Sequence, residues 1–298
     1  MRKQAAALIM ALMLMCAWGM GMAESRPLLY LVEDAEGHRI YLLGTIHVAG
    51  ESTYPLSEAV ENAYAEAEVL AVEVDLYAYA NDPGLALRYA ALLAYPPEDS
   101  AKNHLSEETY ALGVEKLGES ELVLNRMRTA GWLSLAARYA YDQAGLSPET
   151  GVDLHLLTRA HQDGKAIDEL EGIESQIEVL LALPDSVVEE QLVQYLENPA
   201  LCGASIRMML TAWEQGAEGT LRVFVAQDAS LPTADADRQD YQDTLYHDRD
   251  DGFFTAAEGY LREGRTALIA VGAAHVIGAG GLKDQFTAAG YTVTEIGR

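Results

Sequence analysis

The sequence predicts an α/β fold: a central mixed sheet framework, built from the N- and C-terminal parts of the chain, with a large helical insertion between them. Apolar runs typical of buried strands lie near both ends of the chain, and amphipathic helical patterns fill the middle. The sequence contains no Pro/Gly/Ser-rich linker. We therefore expect a single domain at residues 24–298, with the helical insertion at about residues 81–261.

The N-terminal part is predicted to form a hairpin, a helix and a third strand. Short apolar runs on both sides of a Gly-containing turn favour the hairpin. A Pro and a Ser before alanines at helical spacing favour the helix, and a run of Val, Leu and Ala favours the third strand. The predicted elements are strands at 28–32 and 40–43, a helix at about 55–68 and a strand at 69–75.

The middle of the chain is predicted to be mostly helical, and its end returns to α/β. Leu- and Ala-rich amphipathic stretches lie at 85–93, 132–144, 152–161, 173–183 and 187–196, with one short strand at 165–170. A strand at 267–271, a helix at 281–289 and a strand at 291–296 follow.

The first 23 residues have the pattern of an export signal. Arg2 and Lys3 precede an apolar stretch, and small residues at Gly21 and Ala23 match the positions that a signal peptidase recognises. We expect cleavage after Ala23 and an exported protein, either extracellular or in the cell envelope. The alternative is an uncleaved membrane anchor, because the apolar stretch approaches the lower length limit for a spanning helix.

The composition excludes some partners and some kinds of site. The formal net charge is −26, and it becomes −28 without Arg2 and Lys3. Such a surface repels nucleic acids and anionic membranes, so we expect no nucleic-acid partner, and membrane contact only through an uncleaved signal segment. Without that segment Cys202 is the single cysteine, which excludes an intramolecular disulfide and a thiolate-based zinc site.

The pattern Gly-x-x-His follows an apolar run near each end of the chain, ending at His47 and at His275. Open α/β sheets bind ligands at the carboxyl ends of their strands. Imidazole is the commonest metal ligand and an acid/base group near neutral pH. The two histidines, 228 positions apart, are therefore predicted to meet in one site on neighbouring strands of the framework.

Two glutamates near strand ends are the candidate acidic groups of this site. Glu73 lies in an apolar run, where a carboxylate is desolvated unless a cation or metal pairs with it. The alternative is that Glu73 and Asp75 alternate outward from a half-buried strand. Glu171 follows the strand predicted at 165–170 and precedes a helix, so it is either a ligand or a charge that favours the helix N-terminus.

Together these motifs resemble the TraB/GumN family, with its animal relatives the TIKI proteases, and more distantly the erythromycin esterase and ChaN-like group. The resemblance rests on residues 42–48, 70–75, 151–157, 170–172 with Gln176, and 271–276 with Gly281-Leu282, which run in the family's order. One position departs from the family's pattern. Where that pattern has an Arg-Asn pair, this chain has Arg249-Asp250.

The resemblance implies a metal-dependent hydrolase, with a peptidase as the best-known activity of the animal relatives. On this basis His47 and His275, with Glu73 and Glu171, hold or surround a divalent ion, and a carboxylate that is not a ligand acts as base towards its bound water. We assign Glu171 to the metal and Glu73 to the base, although the resemblance does not choose between the two carboxylates. Arg249 stabilises the developing oxyanion. Nitrogen and oxygen ligands do not choose among manganese, cobalt and zinc. The expected partner is a peptide or another small substrate.

The sequence leaves two other functions open. In one, the protein binds and sequesters peptides without cleaving them. In the other, the histidines bind haem or iron. The remaining candidate residues are predicted to have structural roles: a surface or core position for His155 and His161, a solvent-facing position for His38 and His104, a helix cap for Asp153, and packing of the helical insertion for Trp132 and Trp213. His247, two residues before Arg249, reaches the site only if its segment faces it.

Overall fold

A computed structural model describes residues 26–228 and 243–297. The expected export signal, residues 1–23, lies outside these ranges. Within them, no helix combines the length and the apolar character needed to cross a membrane.

A six-stranded mixed sheet forms the centre of the described chain. Its strands are β1 (Leu29–Glu33), β2 (Arg39–Thr45), β3 (Val69–Val72), β4 (Ala166–Glu169), β5 (Ala267–Gly272) and β6 (Thr292–Glu295). They lie in the order β4-β3-β5-β2-β1-β6. β4, β3, β5 and β2 are parallel, whereas β1 pairs antiparallel with both β2 and β6. The two ends of the chain thus interleave in one sheet, which confirms the predicted α/β framework.

Helices connect the strands and fill the middle of the chain. They are α1 (Glu58–Glu66), α2 (Leu76–Asn81), α3 (Pro83–Leu92), α4 (Glu107–Lys116), α5 (Glu121–Arg126), α6 (Thr129–Gln143), α7 (Val152–Asp163), α8 (Ile173–Leu181), α9 (Asp185–Glu197), α10 (Pro199–Glu214), α11 (Glu218–Asp228), α12 (Asp248–Glu263), α13 (Ala273–Ile277) and α14 (Leu282–Ala288). Short 3-10 turns lie at Glu51–Thr53, Ala101–Asn103 and Pro148–Thr150, and a π-helical turn lies at Asp243–His247.

The third strand ends earlier than the sequence predicts. β3 stops at Val72, so Glu73 lies just beyond its carboxyl end. Asp75 is the N-cap of α2, and its side chain accepts a hydrogen bond from the amide of Ala78. The alternative in which Glu73 and Asp75 alternate outward from a strand is therefore wrong, because neither residue belongs to the strand.

The two tryptophans named above pack in different places. Trp132 is fully buried among helices, in a cluster with Tyr110 and Leu192, as expected. Trp213, on α10, is fully buried in the main core around the sheet, and its indole Nε1 donates a 2.6 Å hydrogen bond to the carbonyl of Gly44. The expectation that Trp213 packs the helical insertion is therefore incomplete, because this residue fixes the end of β2 where the first histidine motif begins.

Candidate functional site

The four parallel strands end at one edge of the sheet, and each is followed by a candidate site residue. β2 leads to His47, β3 to Glu73, β4 to Glu171 and β5 to His275. The carboxyl ends of parallel strands lie at the same edge, and this is where open α/β sheets bind ligands. The sheet order explains how residues far apart in the sequence come together, because β5 lies between β2 and β3.

Gly272, the last residue of β5, is the point at which three of these side chains converge. A Cβ atom built on Gly272 would lie 3.3 Å from Oε1 of Glu73, 3.5 Å from Nε2 of His47 and 3.7 Å from Cδ2 of His275. The absence of a side chain at this position therefore leaves a small space that both histidines and one carboxylate face. We call this space the Gly272 pocket.

Glu73 is buried, and the hydrogen bonds to its carboxylate favour the ionised form. Its Oε1 accepts a 2.7 Å hydrogen bond from the amide of Gly272, and its Oε2 accepts bonds from Arg249 at 2.8 Å and Gln176 at 3.3 Å. Burial alone raises the pKa of Glu73, but the positive charges of His275, His47 and Arg249 and the Gly272 amide outweigh it and lower the pKa to about 2.

Arg249, near the start of α12, holds two glutamates together. Its Nε donates to Oε2 of Glu171 at 2.9 Å, and one terminal nitrogen donates both to Oε1 of Glu171 and to Glu73. The other terminal nitrogen donates to the carbonyl of Leu245 at 3.2 Å. The three charged side chains are each 10% exposed or less. Such a bidentate, buried arrangement orients both carboxylates.

His47 is held by a carboxylate from another part of the chain. Its Nδ1 donates to Oδ2 of Asp153 at 2.8 Å, while the hydroxyl of Thr45 donates to Oδ1 of the same carboxylate. The Asp153 charge raises the pKa of His47 to about 9, although partial desolvation of the ring by its neighbours acts in the opposite direction. The His47 side chain is 63% exposed, so the Gly272 pocket opens to solvent on this side.

His275 forms a similar pair, but a buried one. Its Nδ1 lies 2.6 Å from Oδ1 of Asp250, and the two side chains are only 6% and 2% exposed. Burial raises the pKa of Asp250, against the effects of His275 and Arg249. The ring of Phe253 packs edge-on against His275 with centroids 5.1 Å apart. In both pairs the carboxylate occupies Nδ1, so Nε2 is the nitrogen that remains for a ligand.

The structure brings together His47, His275 and Glu73, but it does not place Glu171 among them. Both carboxylate oxygens of Glu171 are bonded to Arg249. Glu171 is linked to the Gly272 pocket through Arg249, which also bonds to Glu73.

Two residues of this arrangement were not identified as site residues from the sequence. Asp250 contacts His275, and Asp153 contacts His47. The prediction that Asp153 is a helix cap is wrong: Gly151 is the N-cap of α7, no side chain caps this terminus, and the Asp153 carboxylate faces Thr45 and His47 instead. The sequence did contain a signal, because Asp153 lies in one of the five family segments and Asp250 replaces the family's asparagine.

The other histidines have partners away from the Gly272 pocket. His155 stacks on Tyr54 and His161 on Tyr77, with ring centroids 4.1 and 4.4 Å apart. His247 is exposed, its ring lies near Gly280, and its charge acts on Asp250, the partner of His275.

The prediction of solvent-facing positions holds for one of the two remaining histidines. His38 is 42% exposed beside Asp34. His104 is different: it stacks on Tyr95 and bonds to carboxylates of Asp99 and Asp185. The prediction is wrong for His104 because its partner Asp185 is 81 residues away in the sequence.

The residues of the Gly272 pocket fit a divalent ion in part. Histidines that bind metals through Nε2 usually donate their other nitrogen to a carboxylate, which is the arrangement of both His47 and His275. Glu73 supplies a negative charge beside them. Within residues 26–228 and 243–297, however, no three His, Cys, Asp or Glu side chains are already arranged to coordinate one ion. The geometry thus places two imidazoles and one carboxylate around Gly272 without a complete set of metal ligands.

Comparison with known proteins gives bacterial relatives and a matching family model. The chain is 29% identical over 251 residues to the uncharacterized protein YbaP of Escherichia coli K12 and to that of Shigella flexneri. Each alignment covers 81% of this chain and 85% of the relative. No solved structure gives a significant match. The model of the TraB/PrgY/gumN family matches residues 28–295, which include every residue of the Gly272 pocket and its carboxylate partners. The chain therefore belongs to the TraB/PrgY/gumN family.

Proposed function

We propose that this protein is an exported hydrolase that cleaves a peptide or another small carbonyl substrate in the Gly272 pocket, with a divalent metal ion held by His47 and His275. One observation carries the proposal. Two histidines 228 positions apart face the same glycine, and the Nδ1 of each is bound by a carboxylate. Manganese, cobalt and zinc all suit such ligands.

His47 and His275 would hold the divalent ion, which would supply a coordinated water of lowered pKa and would polarise a carbonyl group. Glu73 is ionised at neutral pH and has its carboxylate beside the two histidines. It supplies negative charge and accepts a hydrogen bond from the attacking water, which orients that water. Its pKa of about 2 makes it a weak base, so orientation is its main contribution.

Arg249 and Glu171 support this arrangement from one side. Arg249 uses Nε and both terminal nitrogens in hydrogen bonds, so it holds Glu73 in a fixed orientation. Stabilisation of an oxyanion by Arg249 requires the loss of one of these bonds or the use of the remaining N–H of its Leu245-bound nitrogen. We therefore assign Arg249 primarily to orienting Glu73, and Glu171 to fixing Arg249.

The test is metal-dependent cleavage of a diverse peptide mixture, with products identified by mass spectrometry. The purified protein is stripped with a chelator and resupplied with manganese, cobalt or zinc. We expect cleavage that needs the metal and is lost in both His47→Ala and His275→Ala. His38→Ala is the matched control, because His38 has a similar aspartate contact but lies at the other end of β2. It should cleave normally.

Other outcomes contradict the proposal and identify the alternatives. If cleavage survives chelation, or if both histidine variants still cleave, the assignment of a metal centre to His47 and His275 is wrong. Peptide binding without cleavage under any metal supports a sequestering protein. A Soret band on titration with haem, lost in the two variants, supports a haem-binding protein.

A further inference from the structure

Strand β2 carries a histidine–aspartate pair at each end, and the two pairs have nearly the same local geometry. Nδ1 of His38 lies 2.8 Å from Oδ2 of Asp34, and Nδ1 of His47 lies 2.8 Å from Oδ2 of Asp153. Both aspartate side chains are 14% exposed. The difference between the pairs lies in what the second carboxylate oxygen does.

The second carboxylate oxygen of Asp34 accepts hydrogen bonds within the turn that contains this residue. Its Oδ1 accepts hydrogen bonds from the amides of Glu36 at 3.0 Å and His38 at 2.8 Å, so this carboxylate stabilises the β1–β2 hairpin. This is the ordinary role of an aspartate in a turn, and it does not require the histidine.

The carboxylate of Asp153 does not cap the helix that contains it. It lies in the first turn of α7, yet no side chain caps that terminus. Its two oxygens instead accept from His47 and from the hydroxyl of Thr45, which are 106 and 108 residues away in the sequence. Thr45 is buried, so its hydroxyl has few alternatives. The carboxylate is held on both oxygens by residues of the first histidine motif.

The backbone fixes the distance between Asp153 and His47. The amide of Val152 donates a 2.9 Å hydrogen bond to the carbonyl of Ile46. A Cβ atom on Gly151 would lie 2.4 Å from the carbonyl oxygen of His47, so only glycine allows this close approach. The start of α7 is therefore attached directly to the end of β2 by the residues that immediately precede Asp153 and His47.

We infer that Asp153 is a positioning residue for His47: it keeps a proton on Nδ1 and turns Nε2 towards the Gly272 pocket, while Thr45 keeps the carboxylate in place. This inference rests on the proposed metal site for its effect on ligand binding. An asparagine at position 153 has only one oxygen to accept from two donors, Thr45 and His47, so one bond is lost. A valine at position 45 leaves the His47 contact but releases the carboxylate.

The first measurement is the affinity of the chelator-stripped protein for Co²⁺, by competition with a chromophoric chelator, together with the visible absorption of bound cobalt. Removing such carboxylate partners typically weakens metal binding about 10–100-fold. We expect this loss and a changed cobalt spectrum in Asp153→Asn. A smaller loss is expected in Thr45→Val, and Thr45→Ser should restore the affinity because it keeps the hydroxyl. Asp34→Asn, the matched control, should bind cobalt like the parent.

The second measurement does not need a metal. A hydrogen-bonded imidazole N–H gives a downfield proton resonance in NMR spectra. We expect such a signal from His47 in the parent, identified by its loss in His47→Gln, and its loss also in Asp153→Asn. Circular dichroism shows whether each variant is folded.

The two measurements separate this inference from the proposed function. If the parent binds cobalt and Asp153→Asn binds it equally well with an unchanged spectrum, the positioning role is wrong while the metal site stands. If the parent binds no ion but the downfield signal is present and depends on Asp153, the metal site is wrong while the positioning of His47 stands. Loss of neither property in Asp153→Asn overturns the inference.

Discussion

Oδ1 of Asp250 lies 2.6 Å from Nδ1 of His275, and both side chains are almost completely buried. Asp250 stands at the position where the family's pattern has an asparagine. An aspartate and an asparagine both present an oxygen to an imidazole N–H, so the geometry explains how either residue can hold the histidine.

Replacing Asp250 should therefore give graded effects. Asp250→Asn keeps an acceptor for His275, and we expect a small change in the free energy of unfolding and retained metal binding. Asp250→Ala leaves a buried N–H without its partner, which costs about 1–3 kcal/mol. Urea denaturation and cobalt titration check this. Equal destabilisation by both substitutions would show that the carboxylate charge, rather than the hydrogen bond, holds His275.

Gly272→Ala should damage the pocket more than the fold. The backbone at Gly272 has a φ of −50°, which any residue adopts, so the substitution introduces no backbone strain. The new methyl group would lie in tight contact with Oε1 of Glu73, at 3.3 Å, and in ordinary contact with Nε2 of His47, at 3.5 Å. Overpacking of this small extent costs about 1 kcal/mol. We expect at least tenfold weaker metal binding in a protein that remains folded, measured by cobalt titration and thermal unfolding.

Gly259→Ala provides the control for that experiment. Gly259 lies in α12, and a Cβ atom there meets nothing within 4 Å. Alanine at this position should leave metal binding unchanged and stabilise the helix by about 0.5–1 kcal/mol. Unchanged metal affinity in Gly272→Ala as well would mean that the space beside Gly272 is not where the ion binds.

Arg249→Met should be strongly destabilising. It removes the cation from two buried carboxylates, Glu73 and Glu171, and breaking a buried ion pair in this way costs about 3–5 kcal/mol. The additional change Glu171→Gln should recover part of the loss, because it removes one of the two unpaired charges. Arg262→Met is the control, since Arg262 pairs with Glu258 at the surface with 68% of its side chain exposed. Comparable losses in urea denaturation for Arg249→Met and Arg262→Met would contradict this account.

His104 should make the stability of the helical part depend on pH. Asp99 and Asp185 face its two ring nitrogens at 2.9 and 2.8 Å, and both carboxylates can only accept, so the ring must be protonated to satisfy both. Hydrogen bonds from His104, Asn103 and Ser100 lower the pKa of Asp99 to about 2, and the hydrogen bonds to Asp99 and Asp185 raise the pKa of His104.

The sign follows from these two shifts. The Asp99 contribution is present above about pH 3.8 and is lost as the pH falls towards 2, while the His104 contribution is present below about pH 6.5 and is lost as the pH rises through the raised pKa. The difference in unfolding free energy between the parent and His104→Gln should therefore be largest between these values. Burial lowers the pKa of His155, so the stability that this neutral histidine contributes is present above about pH 6.5 and is lost as the pH falls. The difference in unfolding free energy between the parent and His155→Gln should therefore decrease as the pH falls below about 6.5. Urea denaturation at a series of pH values checks both, and a pH-independent difference for His104→Gln would contradict the pairing.

The sequence was informative where local pattern and sheet topology act together. Apolar runs located the strands that precede His47, Glu73, Glu171 and His275, and parallel strands necessarily end at one edge. The end of β3 at Val72 was not predictable, because Val74 continues the apolar pattern although the chain has already left the sheet.

The contacts of the site were less accessible from the sequence. An aspartate in the first turn of a helix, such as Asp153, looks like a cap or a favourable charge near the dipole, and nothing local reveals a partner 106 residues away. The sequence likewise does not reveal that His104 contacts Asp185, which is 81 residues away. Glu171 looked equally suited to a metal or to a helix terminus, and its bidentate contact with Arg249 could be recognised only once both were placed in space.

The most direct test of the account is the metal content of the purified protein, measured by plasma mass spectrometry after exposure to manganese, cobalt or zinc. The comparison is with His47→Ala/His275→Ala, and with His38→Ala/His155→Ala as a control that also removes two histidines. We predict about one ion per chain in the parent and the control and none in the first variant. A parent that binds none of the three metals, or a first variant that binds as much as the parent, would contradict the assignment of the Gly272 pocket as a metal centre.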